Sequence, residues 1–398
     1  MPFHCPTWPP EWPSIRTAAL EAIESGQWGQ YHSALSKTLQ KRLSSYLDSG
    51  PVRLCCSGTA ALELALRCCK IGEGDEVVVA AYDFPGNFRT VELLGAKPVL
   101  VDIATPNPNV PDAISSTICP QQIEAAKSPL VRAVIASHLH GNQADMKRLR
   151  HTCDQNGWVL IEDACQAIGS KIDGQSIGSF GHLATLSFGG SKLISAGSGG
   201  AIIANDERLE ARLGGLLDRP GDTFPLSPLQ AAVIGPQLDR LDELTHIRKL
   251  TANFLWEQVF PDLEQWDPLL PSEADTASEN ADQENTAPKP TRFVQPTATT
   301  STTTIPAFYK FGWITPSSEI RQQVINHGTA LGLPLGAGFR SMSRCSPKRC
   351  RKPASTPHAD LLGERLVVMD QRTLIISPDR HAELRDSLHE VHLVVNQS

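Results

Sequence analysis

Between Val52 and Ala204, short runs of consecutive apolar residues alternate with longer stretches in which apolar residues recur every three or four positions. Runs that are apolar at successive positions suit strands covered on both faces, as in a parallel sheet. They fall at Glu76 to Ala81, Pro98 to Val101, Val131 to Ser137, Trp158 to Ile161, Ala184 to Phe188 and Ala201 to Ala204. Gly86 to Leu94 and Gln143 to Asn156 are the predicted helices between them, the second closed by Gly157. Strand and helix in alternation imply an α/β domain built on a mostly parallel sheet. Leu226 to Trp256 places Leu229, Val233, Leu238, Leu241, Leu244 and Ile247 along one amphipathic stretch, which predicts a long helix leading out of that domain.

The pattern then breaks. Residues 268–304 are dominated by Ser, Thr, Ala, Pro, Asn and acidic side chains, too polar to bury a core, and are expected to be a disordered insertion. After it, PAFYKFGW, Ser317 to Gly328 and Leu361 to Val395 predict a compact α+β unit. The expected organisation is therefore a large domain over 1–248, with an N-terminal arm, and a smaller one over 249–398.

Composition narrows the function classes. Net charge is -7, and five acidic residues fall between Ser272 and Glu284, so the rest of the chain is near neutral and offers no global basic field for nucleic acid. The ten cysteines show no CxxC spacing of a zinc site, which points to no metal and to reduced thiols in a cytoplasmic protein. MPFHCPTWPPEWP lacks the basic start and apolar run of a signal peptide. No apolar stretch approaches the roughly 20 residues of a membrane helix.

Two charged residues then stand out. Asp163 closes the apolar run WVLIED, and Lys192 is a solitary lysine among small residues in LSFGGSKLISAGSGG. A lysine amine can hold an aldehyde covalently, and a carboxylate can keep a pyridine nitrogen protonated, so the pair suggests pyridoxal phosphate. Other lysine and glycine motifs do not fit. A phosphate loop needs Gly before the lysine and Ser or Thr after it, whereas Ser191 and Leu193 occupy those places. AGSGGA is followed by a strand pattern and has Ile202 at the last glycine position of a dinucleotide fingerprint. Ser57, Gly58 and Thr59 open an apolar helix whose first amides make an anion site, and Phe84 sits at the end of a strand, where it could cover a planar ring.

SGTAAL, GEGDEVVVAAYDF, LLGAKPVLVDI, HLHG, LIEDACQAIGS, IGSFG, LSFGGSK and SAGSGGAIIAND occur here in an order and spacing that resemble the DegT/StrS-type aminotransferases, from about Ser25 to about Leu244. The resemblance implies fold type I of the pyridoxal-phosphate transferases and a homodimer with sites at the subunit interface. It also implies transfer of an amino group, from glutamate or glutamine, to a keto sugar carried on a nucleoside diphosphate. By position, Lys192 resembles the lysine that holds the cofactor and Asp163 the pyridinium partner. Phe84 matches the stacked aromatic and Gln166 the residue beside the ring hydroxyl, while Gly58, Thr59, Ala60 and Ser187 match the phosphate cradle. Dehydratase relatives carry histidine where Lys192 stands, so its retention favours amino transfer. Two other readings stay open: another reaction on a cyclic ketone, such as aminohydroxybenzoate formation or dehydration, and a non-catalytic regulator on the same fold. The chain departs from the family at Thr223 and Pro225, where Asn and Arg are usual, at Ser198, usually acidic, and at His182, often Asp.

Last, Phe339 to Pro353 holds six basic residues and no acidic one. Paired guanidinium groups suit phosphate oxygens, which makes Arg340 and Arg344 candidates for the substrate's diphosphate, with Lys348 and Arg349 beside them.

Overall fold

The computed structural model of the chain describes residues 2–104, 114–217, 224–269 and 304–397. Seven strands form the central sheet: β1 (Val52–Cys55), β2 (Glu76–Ala80), β3 (Lys97–Val101), β4 (Val131–Ser137), β5 (Val159–Asp163), β6 (Leu183–Ser187) and β7 (Gly200–Ala204). Their spatial order is β1-β7-β6-β5-β4-β2-β3. β2 through β6 run parallel, and β7 lies antiparallel between β6 and β1. The cause is legible in the side chains. Val77, Val78 and Val79 are fully buried in succession, as are Val134 and Ile135, and each such burial contributes roughly 1.5 kcal/mol or more.

The helices are α1 (Pro13–Glu24), α2 (Ala34–Leu47), α3 (Gly58–Cys68), α4 (Pro85–Leu93), α5 (Met146–Asn156), α6 (Pro228–Leu238), α7 (Leu241–Phe254), α8 (Ser318–Ala330), α9 (Pro357–Arg365) and α10 (His381–Asn396), with Glu207–Leu217 and several shorter ones between them. α5 starts at Met146, because the Asp145 side chain caps the Arg148 amide, and it ends at Gly157 with φ 69°. The single helix expected over Leu226 to Trp256 is two. Ser227 and Gln230 form a capping box at the start of α6. The backbone of Arg240 then leaves helical geometry (φ -108°, ψ 5°), and α7 sets off anew.

A second sheet is wholly antiparallel, in the order β8 (Asp267–Pro268), β9 (Lys310–Ile314), β11 (Leu366–Asp370), β10 (Leu335–Ala337). It builds a separate apolar cluster with α8, α10 and the end of α7, centred on Trp266, Phe311, Trp313, Leu384 and Leu388. Of the expected insertion, 270–303 lie outside the described residues, while Pro268 and Thr304 belong to short strands. Thr223 also lies outside the described residues.

The basic run Phe339 to Pro353 fastens this second unit to the first. Arg351 donates two hydrogen bonds of 2.8 Å to Glu76 at the start of β2, and its backbone bridges to β3 through Pro98 and Leu100. Arg349 grips Glu92 on α4, and Arg344 pairs with Glu364. His182 is likewise structural: Nδ1 accepts the Leu160 amide at 2.9 Å while Nε2 faces Asp154 at 3.0 Å. Ser198 accepts from Gln230 at 2.8 Å. No helix among the described residues is long and apolar enough to cross a membrane.

Candidate active site

The C-terminal ends of β1, β2, β4, β5 and β6 point to one edge of the central sheet, the edge where open α/β sheets bind ligands. A cavity of about 570 Å³ lies there, roofed by the second sheet. Its walls include Ser57, Gly58 and Thr59 from the start of α3, and Phe84 from the N-cap of α4. Asp163 and Gln166 follow β5, Ser187 ends β6, and Lys192 comes from the loop after it. Across from them stand Tyr309, Lys310, Phe339, Asp370 and Arg372. Of the residues singled out in the sequence, Gly58, Thr59, Phe84, Gln166, Ser187, Asp163 and Lys192 thus meet in one place. Ala60 lies behind the wall, its amide donated to the Ser57 hydroxyl at 3.0 Å. Arg340 and Arg344 do not line the cavity; both are exposed, Arg344 on Glu364.

Alternation along β5 separates two adjacent carboxylates. Glu162 points away from the cavity and binds the amides of Gly178, Phe180 and Gly181 at 2.7–2.9 Å. Asp163 points in. Its Oδ2 accepts from Asn87 Nδ2 at 2.9 Å and its Oδ1 from the Cys165 amide at 3.0 Å, an arrangement suited to an ionised carboxylate. Asn87 also donates to Asp83 at 3.2 Å and to Ser137 at 3.0 Å. Asp83 is fully buried, and that burial, with the Asp163 charge beside it, pushes its pKa up to about 7. In the unfolded chain it titrates near 4, so between about pH 4 and 7 the folded state alone retains the proton. Stability should therefore fall across that window as pH rises, by up to a few kcal/mol. Asp83→Asn should flatten the decline in urea midpoints between pH 4.5 and 7; an equally steep decline in the variant would rule out Asp83 as its source.

Lys192 is held by its backbone and left loose at its tip. Its carbonyl accepts from Trp8 Nε1 at 3.0 Å and from Gln371 Nε2 at 3.4 Å, and Gln371 is gripped by the buried Arg248. The Lys192 ammonium rests 4.6 Å from the centre of the Tyr309 ring. The other cavity lysine, Lys310, is instead ion-paired with Asp370 at 2.5 Å, and Arg372 Nε reaches the same carboxylate at 2.8 Å. Burial raises the pKa of Asp370, but Lys310 and Arg372 outweigh that and hold it below the usual carboxylate value.

The residues fit a phosphorylated pyridine aldehyde. A methyl on Gly58 would sit 2.8 Å from Ser187 Cβ and 2.9 Å from Cys165 Sγ, so only glycine lets the start of α3 come this close to Ser187. First-turn amides and a serine hydroxyl are phosphate ligands. Phe84 keeps 41% of its surface exposed at the cavity wall, and its rotamer needs Gly86, whose Cβ would lie 2.3 Å from the ring. Sequence reasoning passes over Asn87, His140, Tyr309, Lys310, Asp370 and Arg372. Asp370 carries the same mark as Asp163, a carboxylate closing an apolar strand.

A lysine, a buried carboxylate and a helix N-terminus thus meet around one cavity at the ligand-binding edge of this sheet. The chain belongs to the DegT/DnrJ/EryC1/StrS aminotransferase family, whose sequence profile matches residues 13–282. It is 32% identical over 279 residues to L-glutamine:2-deoxy-scyllo-inosose aminotransferase of Streptomyces kanamyceticus, covering 63% of each chain. It is 42% identical over 216 residues to the UDP-N-acetyl-3-dehydro-alpha-D-glucosamine 3-aminotransferase of Acidithiobacillus ferrooxidans, covering 52% of this chain and 56% of that one. The chain thus spans less than two thirds of the length of these curated relatives. Among solved structures, 3-amino-5-hydroxybenzoic acid synthase shares the fold with a TM-score of 0.80 at 23% identity, over 100% of both chains. The pyridoxal-phosphate form of a putative sugar aminotransferase from Streptococcus pneumoniae does so with 0.79 at 19%, over 99% of both.

Proposed function

We propose that the chain is an aminotransferase that moves an amino group from an amino acid, glutamate or glutamine, to a keto sugar linked to a nucleoside diphosphate. The observation that carries this reading is Lys192, whose ammonium has no ion pair among the described residues and rests over Tyr309, in a cavity that also presents Asp163 and the start of α3. Relatives that use keto sugars and keto inositols point to the acceptor class. When bound, pyridoxal phosphate supplies an aldehyde that takes up the amino group and a ring that draws electrons from it.

The chain's own residues do the rest. Gly58, Thr59 and Ser187 would hold the phosphate, with Ala60 setting the cap behind them, and Phe84 would cover the ring. Asp163 would keep the ring nitrogen protonated, and Gln166 would serve the ring hydroxyl. Lys192 Nζ would hold the cofactor's aldehyde and, when free, would move a proton at the amino acid's Cα. It must be neutral for that step.

Residues 1–248 and 249–398 act as two domains closing on the cavity, in a cytoplasmic homodimer. Leu20, Ile23, Trp28 and Tyr31 leave apolar surface exposed near the N-terminus, as a subunit interface would require. Arg340 follows the lining residue Phe339 and is free to meet a diphosphate at the rim. Arg340→Glu should raise KM for the nucleotide sugar about tenfold or more, and Arg344→Glu should leave it within about twofold. Equal responses would remove Arg340 from the site. The reading as a whole is tested with 15N-glutamate and a panel of nucleoside-diphosphate keto sugars: the label should appear in one aminated sugar, and its absence from every product with fully loaded protein would sink the proposal.

A further inference from the structure

His140 lies in the turn after β4 and lines the cavity, 5% exposed, with a left-handed backbone (φ 53°) that few non-glycine residues adopt. Its protonation can be worked out from its neighbours. The Tyr82 side chain is fully buried, and its hydroxyl oxygen accepts the Phe339 amide at 3.1 Å. That hydroxyl must also donate its own proton, and the acceptor within reach is His140 Nε2 at 2.9 Å. A neutral imidazole that accepts at Nε2 carries its hydrogen on Nδ1. Burial, and then the charges of Lys310 and Lys192, push the imidazole pKa down to about 3, so the ring stays neutral at working pH. Nδ1–H is therefore a buried donor, and it has no partner among the described residues. A buried donor left this way is costly, and the cost is recovered when a ligand brings an acceptor.

We propose that His140 is a binding residue that presents Nδ1–H to an oxygen of the bound ligand. Two oxygens have the right chemistry: the ring oxygen of the cofactor and the carbonyl oxygen of the keto substrate. The His140 amide lies 3.5 Å from Gln166 Oε1, which places His140 beside the residue assigned to the ring hydroxyl. The charge of Lys310 nearby favours an oxygen carrying negative charge. The Phe339 amide, Tyr82 hydroxyl and imidazole form a chain in which each hydrogen bond polarises the next and strengthens the donor at its end. Gly338 makes the chain possible, because a Cβ there would lie 2.2 Å from the Tyr82 oxygen.

The inference rests on the proposed cofactor site, but its first test does not. In 15N-histidine-labelled protein, with His140 assigned by its loss in His140→Phe, Nδ1 should be the protonated nitrogen before any ligand is added. Loading pyridoxal phosphate, and separately adding the keto sugar nucleotide, should show which of the two moves that proton downfield. His140→Phe should weaken the matching step about tenfold, in cofactor Kd for the ring oxygen or in KM for the carbonyl. His140→Asn, which keeps a donor near Nδ1, should recover most of the loss, and that recovery separates binding from packing. An Nε2–H tautomer, or a His140→Phe protein with both constants within twofold of wild type, would overturn the proposal. Loss of cofactor uptake at Lys192 in the wild type would instead count against the site itself.

Discussion

Lys192→Ala should lower transamination by about 10⁴-fold or more, whereas Lys310→Ala should retain the chemistry and lose mainly affinity. The two lysines share a cavity, and only their surroundings distinguish them. Lys310 is committed to Asp370 at 2.5 Å, where its charge balances a carboxylate it shares with Arg372. Lys192 rests over the Tyr309 ring, a contact worth about 1 kcal/mol and easily given up. The lysine that can leave its partner is the one that can form a covalent bond and afterwards carry a proton. Removing it takes away both tasks, and proton transfer by a positioned side chain alone is worth roughly 10²- to 10⁴-fold. Single-turnover rates with glutamate would read the loss directly. If Lys310→Ala were the inactive variant and Lys192→Ala the active one, the two lysines would have to exchange roles.

Asp163→Asn should cost roughly 10²- to 10³-fold in kcat, the usual effect of removing one preorganised charge. The fold should suffer as well. Both Asp163 oxygens accept hydrogen bonds, Oδ2 from Asn87 and Oδ1 from the Cys165 amide, so an asparagine must turn its NH2 toward one of these donors. That mismatch should lower stability by about 1–3 kcal/mol, seen as a lower urea midpoint. Cofactor affinity should fall with it, since Asn87 also ties the carboxylate to Asp83 and Ser137. Unchanged kcat with a lowered midpoint would make Asp163 a structural residue only.

Much of this arrangement is legible in the amino-acid pattern alone. The strands β2 to β6 sit within a residue or two of their expected places because they are buried on both faces, and a continuous apolar run is then the only pattern available. β1 does not stand out: its four residues include Arg53, and it packs at the sheet edge against β7 alone. α1 and α2 are hidden by a proline-rich start and by faces that are mostly exposed. The half of the cavity built from β1 to β6 follows from local motifs, since each side chain ends a strand or opens a helix. The other half does not. Tyr309, Lys310, Asp370 and Arg372 come from the second sheet and the residues flanking it, over a hundred residues farther along, and no local spacing says that it folds back over Lys192. The basic run is only partly legible for the same reason. Its charge suggests phosphate, but Arg349 and Arg351 are taken up by Glu92 and Glu76, acids that only the tertiary fold brings near.

The central claim is that Lys192 is the residue that binds pyridoxal phosphate. Borohydride reduction of the cofactor-loaded protein, followed by peptide mapping, tests it most directly. The expected result is one pyridoxyl group on the peptide carrying Lys192, none on Lys310, and no label in Lys192→Ala. Label on Lys310, or on neither lysine in protein shown to contain the cofactor, would contradict it.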